Sequence, residues 1–598
     1  MRTAQWLVWL LLAAGWFGVA MLARAETSDS DAGARLHALF KAEWEYWLQE
    51  EPTFASRLGD RRWNDRWPDL SLEAIDRRQN HRTEVLRKVD AIDTAMLSET
   101  DRINYRLFRG DYEMDSEGHQ YRTFLIPLNQ RGGIQTLNEL ADSLRFTTVK
   151  DYEDWIARLR GVPAYMDQTI ALMREGIRAR IVHSRVVMER VPEQIARQVV
   201  ADPADSLFFQ PFKKFPDSIS GADRTRLSAE AKQAIGEQVL PSYRRFQEFF
   251  NKEYLPACFP KVGAWQLPRG KEFYAYRVRL YTTTDLTPEQ VHEIGQREVR
   301  RIRAEMEKII QQVGFKGSFQ EFLEFLRTDP QFYYKDPQEL LEAYRAISKR
   351  IDPELVKLFG RLPRMPYGVE PIPDNIAPDT TTAYYRQPAA DGSRAGTYFV
   401  NLYKPEVRPK YEMEALSIHE AVPGHHLQIS LAMELGELPE FRRYGGYTAF
   451  TEGWGLYSES LGDEMGLYKD PYSKFGQLTY EMWRAVRLVV DTGMHYMGWS
   501  REQAIEFFKA NAAKTEHDIV NEIDRYIAWP GQALAYKIGE LKIKELRARA
   551  TKELGPRFDI RAFHDVVLGS GAVTLDVLEA NVDAWIRSRE AEPAATAR

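Results

Sequence analysis

The sequence contains one cysteine, Cys258, among its 598 residues. Because one thiol cannot form a disulfide within the chain, a disulfide-stabilised scaffold is excluded. The chain also lacks an excess of basic residues, and its formal charge is −6. We therefore expect no nucleic-acid partner. With 44% hydrophobic and 28% charged residues, the composition is that of an ordinary folded protein.

Long apolar runs are absent from the sequence beyond its N-terminus. The run Trp6–Leu22 is followed by Ala23–Ala25, which has the small-x-small form of a signal-peptidase site. We interpret residues 1–25 as a cleaved secretory signal peptide, which predicts a periplasmic or secreted protein. An uncleaved membrane anchor is the alternative, because about 17–25 apolar residues can span a bilayer. No second such run follows, so we expect no stable membrane insertion of the mature chain.

Apolar residues at three-to-four spacing predict a mainly α fold. We divide the mature chain into an N-terminal helical region, residues 26–270, and a second region, residues 271–590. Residues 591–598 are polar and rich in alanine, and we expect them to form a disordered tail.

Four segments of the second region depart from the helical pattern. Alternating aromatic and β-branched residues predict strands at Phe273–Thr284, Thr380–Gln387 and Gly396–Tyr403. We expect the last two to pair as a hairpin. The proline-rich stretch Pro363–Pro378 is interpreted as irregular.

The segment His419–His426, with the sequence HEAVPGHH, contains the residue types of a zinc-hydrolase motif. In the standard motif two histidines lie four residues apart on a helix, and a glutamate beside the first acts as general base. The two imidazoles then point the same way, about 6 Å apart along the axis, and can share one zinc ion at roughly 2.0–2.1 Å. His419 is therefore the candidate first ligand, and Glu420 is the candidate general base.

The second ligand lacks the standard spacing, because the residue four after His419 is Pro423. In a regular helix His425 would point about 120° away, and His426 would lie about 10.5 Å along the axis. Pro423 interrupts a helix and Gly424 tolerates unusual backbone angles, so the pair could loop out two residues. We interpret the segment as a zinc motif with a two-residue insertion, in which either histidine could be the second ligand. The alternative is a helix end followed by two solvated histidines.

The motif HEAVPGHHLQ, together with TEGWGLYSE at Thr451–Glu459, closely resembles a large, mainly bacterial family numbered 885 among the domains of unknown function. The resemblance runs from about Leu36 to about Arg587. That family is similar to the gluzincin metallopeptidases, in which two histidines and a downstream glutamate bind zinc. The resemblance implies a large two-lobed helical body with a deep channel and a small β-sheet beside the active-site helix.

The same resemblance implies a set of metal ligands. Alignment of Gly424-His425 with the Gly-His of thimet-oligopeptidase-like and angiotensin-converting-enzyme-like peptidases makes His425 the second ligand. Glu452 follows 452 − 425 = 27 residues later, close to the spacing of the glutamate ligand in those families. Glu459 would be an acid behind a ligand, or an alternative ligand. Several gluzincins carry that acid four residues after the ligand, where this sequence has Leu456.

Residues that would contact a peptide are also implied by the resemblance. Zinc peptidases of this kind place a strand along the cleft, and Thr397 to Asn401 is our candidate for that substrate-binding edge, with a structural hairpin as the alternative. Related peptidases stabilise the oxyanion with a tyrosine or histidine, for which Tyr536 and His495 are the candidates. Arg487 is a candidate clamp on a substrate carboxylate.

Together these residues predict a zinc-dependent hydrolase of peptide bonds that acts on short peptides. His419, His425 and Glu452 would hold Zn²⁺ with an open fourth position, as catalytic sites do. Two other interpretations compete. One is a zinc amidase acting on a different amide, such as a cell-wall peptide, and the other is a non-catalytic helical binding protein with a structural or degenerate zinc site. Retention of Glu420 argues against the last, since a structural site needs no base.

Overall fold

A computed structural model describes residues 32–374, 377, 381–389, 392, 394–436 and 438–591. The predicted signal peptide and residues 592–598 of the predicted tail lie outside the described residues, as does Thr380. Helices dominate the described chain, with one small sheet of three strands, so the predicted mainly α class is confirmed. None of the described helices is both long and apolar enough to cross a membrane.

The helices up to the sheet are α1 (32–50), α2 (Pro52–Arg57), α3 (Leu72–Asp90), α4 (Glu99–His119), α5 (Val149–Ala179), α6 (Arg185–Met188), α7 (Val191–Ala196), α8 (Gly221–Ala234), α9 (Leu240–Phe249), α10 (Leu255–Ala257), α11 (Gly270–Thr282), α12 (Pro288–Gln312), α13 (Phe319–Thr328), α14 (Pro337–Ile351) and α15 (Leu355–Leu358). The strands are β1 (Tyr367–Pro371), β2 (Ala383–Arg386) and β3 (Gly396–Val400). The helices that follow are α16 (Met413–Glu420), α17 (His425–Glu434), α18 (Glu440–Tyr444), α19 (Thr448–Ser460), α20 (Pro471–His495), α21 (Arg501–Asn511), α22 (Glu516–Ala528), α23 (Ala535–Leu554), α24 (Ile560–Leu568) and α25 (Leu575–Ala591).

Buried apolar side chains form two large clusters, and α20 belongs to both. Its Met482 and Val486 lie in the cluster that contains α5, α8 and α9. Its Tyr480 and Leu488 lie in the cluster that contains α16, α19, α23 and the sheet. Burying each such side chain stabilises the fold by roughly 1.5–3 kcal/mol. Because α20 contributes side chains to both clusters, it connects the two clusters directly.

The predicted strand at Phe273–Thr284 is wrong, because this segment forms the helix α11. Its aromatic and β-branched residues favour a strand locally, but such preferences depend on context. Phe273, Tyr274 and Val278 lie on one buried helical face and pack in the second cluster. That packing outweighs the local preference.

The three strands have the order β1-β3-β2, with β1 parallel and β2 antiparallel to β3. The predicted pairing of the two later strands is therefore right, but the predicted substrate-binding edge is wrong. Thr397 pairs with Gly368 on one side and Arg386 on the other, so β3 has no free edge here. Buried Asn401 donates its side-chain amide to the carbonyls of Ala377 (2.8 Å) and Thr381 (3.1 Å). The error arises because β1 lies in the proline-rich stretch that was interpreted as irregular.

Candidate metal centre

A four-residue break separates α16, which ends at Glu420, from α17, which begins at His425. The backbone N–H of Gly424 donates to the carbonyl of Ile418 at 2.9 Å. A Cβ at Gly424 would lie 2.0 Å from the carbonyl oxygen of His419, so only glycine fits there. The break therefore folds the chain back on the end of α16 and returns His425 to the neighbourhood of His419.

Helix α19 packs against this break and fixes it. The indole N–H of Trp454 donates to the carbonyl of Pro423 at 2.8 Å. One residue later, a Cβ at Gly455 would lie 2.8 Å from Cε1 of His419. The small residue thus lets the imidazole lie directly on α19, while the tryptophan beside it anchors the break.

The structure brings the three predicted ligands together. The donor atoms of His419, His425 and Glu452 all lie within 4.8 Å of one another, the one such group found among the described residues. Nε2 of each histidine is 3.6 Å from Oε2 of Glu452. Tetrahedral zinc with ligands at roughly 2.0–2.1 Å separates its donor atoms by about 3.4 Å. The cluster therefore fits a zinc ion in both donor type and spacing.

The second nitrogen of His419 is held by Glu459, whose Oε1 lies 2.8 Å from Nδ1. Glu459 is fully buried and lies seven residues after Glu452 on α19. Residues seven apart project from nearly the same face of a helix. One face of α19 thus supplies both a candidate metal ligand, Glu452, and the carboxylate that orients the ring of His419. The predicted role of Glu459 as an acid behind a candidate ligand therefore agrees with its position.

The charges of these groups are strongly coupled. Burial alone would lower the pKa of His419, but its contacts with Glu452 and Glu459 raise it to about 9. Burial opposes ionisation of Glu452, yet the two histidines hold its pKa at about 2. Burial lowers the pKa of His425. Without a metal, a proton on His419 therefore balances the carboxylates, and a bound cation would replace that proton.

Glu420 and Tyr536 lie beside the cluster. Glu420 is the half-buried last residue of α16, and its charge acts on His425. Tyr536 lies in the first turn of α23, with the guanidinium carbon of Arg487 4.3 Å from its ring centre. Burial and then the charge of Glu452 raise the pKa of Tyr536. Its hydroxyl therefore stays protonated near neutral pH.

The other two predicted histidines have hydrogen-bond partners of their own. In His495, Nδ1 accepts the backbone N–H of Ala264 (3.0 Å) and Nε2 donates to the carbonyl of Tyr526 (2.9 Å). Burial lowers the pKa of His495 to about 4. Neither ring nitrogen is left for an oxyanion. In His426, Nδ1 lies 2.9 Å from the Tyr385 hydroxyl and Nε2 donates to a backbone carbonyl, so this histidine is outside the metal cluster.

Arg487 is buried, with only 4% of its surface exposed. Its Nε donates to the hydroxyl of Tyr526 at 2.7 Å, and its Nη2 to Oε2 of Glu522 at 3.1 Å. Two further residues of the site, Glu522 and Trp454, are not predicted from the sequence. The latter lies in the Gly-Trp-Gly pattern of the second motif, which is a signal for close helix contact, whereas nothing in the sequence marks Glu522.

The family profile described as bacterial protein of unknown function (DUF885) matches residues 52–582. No curated protein matches the chain at a significant level. A crystal structure of a candidate lipoprotein from Colwellia psychrerythraea has a TM-score of 0.85 and 29% identity, and the match covers 93% of this chain and 99% of that one. A candidate lipoprotein of unknown function from Shewanella oneidensis has a TM-score of 0.71 and 17% identity, with coverage of 91% and 98%. The second likeness is one of fold alone.

Alanine at His419, His425 or Glu452 should abolish stoichiometric zinc binding, because each change removes one of three donors. His426→Ala should retain zinc, since that ring bonds to other parts of the chain. Metal content per chain, measured after chelation and reloading, tests this, with circular dichroism as the control for folding. Loss of zinc in His426→Ala and retention in His425→Ala would overturn the assignment of ligands.

Glu459→Gln should weaken zinc binding by about 10–100-fold, because it removes the carboxylate that orients His419 while keeping the size of the side chain. Competition with a chelator of known affinity measures the Kd. Glu464→Gln is a matched control, since Glu464 is 37% exposed and pairs with Arg547. Equal affinities for the two variants would contradict the role of Glu459.

Proposed function

We propose, on the premise that the chain belongs to the bacterial family DUF885, that it is an exported zinc-dependent hydrolase of peptide bonds in short peptides. The observation that carries the proposal is the cluster of two histidines and one glutamate with Glu420 directly beside a ligand. The side chains of Glu452 and His425 are 21% and 12% exposed, so the cluster is accessible from one side. Three protein ligands are typical of catalytic zinc sites, whereas structural sites use four.

The chemistry divides between the metal and the chain. A zinc ion bound there would polarise a carbonyl and make water a stronger acid. Glu420 would accept the proton of the attacking water and then deliver it to the leaving amine. Tyr536 would donate its hydroxyl to the scissile carbonyl oxygen as negative charge develops on it. Its position beside Glu452 and its protonated state support this role.

Rigidity of the ligands also supports a catalytic role. Glu459 fixes the ring of His419, and the guanidinium of Arg484 lies 3.5 Å from the same carboxylate oxygen. Trp454 fixes the break that presents His425. Preorganised groups need no rearrangement as charge develops, which is the main source of electrostatic catalysis.

Export is supported by the apolar run Trp6–Leu22 and the small-x-small site after it. The likeness to the candidate lipoprotein from Colwellia psychrerythraea points the same way. An oligopeptide hydrolase outside the cytoplasm would act on peptides that enter from the surroundings or arise there.

Glu420→Gln should retain one zinc ion per chain and lose about 10²–10⁴-fold in kcat, because the amide cannot accept a proton. Metal analysis and cleavage of a mixed peptide library, followed by mass spectrometry, measure both quantities in parallel with the wild type. Zinc without cleavage in either protein would exclude peptide hydrolysis. Failure of the wild type to take up zinc would remove the basis of the proposal.

Tyr536→Phe should lower kcat by about 10²–10³-fold with little change in KM, because the lost hydrogen bond forms mainly in the transition state. Steady-state kinetics on the best library peptide provide the measurement. Tyr403→Phe is the matched control, since Tyr403 is 42% exposed. Equal kcat values for both variants would assign oxyanion stabilisation to another group.

A further inference from the structure

Three arginines gather beside Tyr536, at the side of the candidate metal centre that faces α22. We call Arg131, Arg487 and Arg525 the arginine wall. Nη2 of Arg525 and Nη2 of Arg487 both donate to Oε2 of Glu522, at 2.9 and 3.1 Å. Glu522 is thus shared by two guanidinium groups.

Arg487 connects the arginine wall to the metal cluster. Its guanidinium carbon lies 4.3 Å from the ring centre of Tyr536, and its charge helps to lower the pKa of Glu452. Nη1 of Arg487 is buried and has no hydrogen-bond partner among the described residues. Buried donors in native proteins almost always have partners, so this nitrogen is suited to an acceptor brought by a ligand or by water.

Arg131 completes the wall from the N-terminal part of the chain. It lies in a tight turn, in which Oδ1 of Asn129 accepts the backbone N–H of Arg131 at 2.8 Å. The side-chain amide of the buried neighbour Gln130 donates to the carbonyl of Asp524 at 2.9 Å, which docks the turn on α22. The guanidinium of Arg131 then lies 5.6 Å from the ring centre of Trp529. The position of this arginine is therefore built into the fold.

Unlike Arg487 and Arg525, Arg131 is exposed. Its guanidinium forms no ion pair with any residue in the described part of the chain. Partial removal from water and then the neighbouring Arg525 lower the pKa of Arg131, while Glu522 acts in the opposite direction. An anion bound at the exposed guanidinium would further offset the repulsion between the two arginines.

Within the described residues, the ion pairs of the wall are those of Arg487 and Arg525 with Glu522, while the charge of Arg487 also acts on Glu452. The carboxyl of Asp491 lies nearby; burial raises its pKa to about 7, and its Oδ1 accepts the Tyr274 hydroxyl and the backbone N–H of Gly531. Guanidinium groups bind carboxylates in preference to most other groups because the two are complementary in charge and shape.

We propose that the arginine wall binds a carboxylate of the substrate, in the first place the free C-terminal carboxylate of a peptide. The cleavage that follows rests on the proposed hydrolase function, whereas the binding does not. Tyr536 is proposed to contact the scissile carbonyl oxygen, and Arg487 contacts Tyr536. A carboxylate bound by the wall would therefore lie about one or two residues beyond the scissile bond. The protein would then remove one or two residues from the C-terminus of short peptides. An acidic side chain near the scissile bond is the other source of the same chemistry.

Matched peptides distinguish these two sources. Each library sequence is prepared with a free C-terminus, with a C-terminal amide, and as an amide with aspartate or glutamate in the last three positions. We expect kcat/KM at least tenfold higher for free acids than for plain amides, with products shortened from the C-terminus. If aspartate or glutamate restores the cleavage of amidated peptides, the wall binds an acidic side chain rather than the C-terminal carboxylate. Equal cleavage of acids and amides, with or without acidic residues, would overturn the proposal while leaving the hydrolase function intact.

Arg131→Ala tests the wall at small cost to the fold, because this side chain is exposed and loses no ion pair, only its contact with the Trp529 ring. The ratio of kcat/KM for acid over amide should fall by about tenfold, mainly through KM. Arg160→Ala is the control, since Arg160 is an exposed arginine that pairs with Glu230. If the ratio is unchanged in Arg131→Ala, neither Arg131 nor the outer part of the wall binds the substrate carboxylate.

Binding to zinc-loaded Glu420→Gln separates the proposal from the hydrolase function. Fluorescently labelled library peptides with a free C-terminus should bind at least tenfold more tightly than their amides, and Arg131→Ala in this background should reduce the difference. If this binding pattern is seen but the wild type cleaves no peptide, the carboxylate-binding proposal holds and the hydrolase proposal is wrong. Absence of any acid-over-amide preference in both binding and cleavage would reject the site.

Discussion

The imidazole of His419 lies between two carboxylates that come from one face of α19, and the rest of the site depends on that contact. Glu452 approaches one ring nitrogen and the fully buried Glu459 holds the other. Carboxylates are costly to bury unless they are paired or coordinate a metal. The same contact therefore fixes the packing of α16 on α19 and the orientation of the His419 ring. It also means that the two carboxylates require a positive charge nearby.

Helix α20 supplies much of the polar framework behind the site, although it is buried for most of its length. Its Arg484 reaches Glu459, its Arg487 reaches Glu522, and its His495 joins two backbone segments. Because α20 also belongs to both hydrophobic clusters, these polar groups are held by a helix that is anchored in both. The site is thus supported by a core helix, which also supplies Arg487 to the arginine wall.

The sequence predicted which donor groups come together, because most of them lie close in the chain or in a recognisable motif. His419, Glu420 and His425 lie in one short segment, and the TEGWG motif marks Glu452. The fold class followed from helical periodicity, since that pattern persists along most of the chain. Spacing in a regular helix could not decide between His425 and His426, because the choice depends on how the chain closes at Gly424.

The sequence-based predictions were wrong for segments whose structure depends on contacts with residues far away in the chain. The strand predicted at Phe273–Thr284 is a helix because its aromatic face packs in a core that only the folded chain creates. The position of β3 in the sheet depends on β1, which a proline-rich composition concealed. Arg131 and Trp529 are about 400 residues apart in the chain, and no local pattern joins them.

The break between α16 and α17 has a consequence for recognising such sites in genomes. When both histidines lie on one helix, their spacing is fixed by helical geometry, and searches rely on that constant interval. Here the interval is set by a loop that has only to close on the carbonyl of His419, through a residue without a side chain. A search that asks for histidines four residues apart would pass over this chain. A pattern with a variable gap that ends in Gly-His, followed by a distant glutamate, would retrieve it.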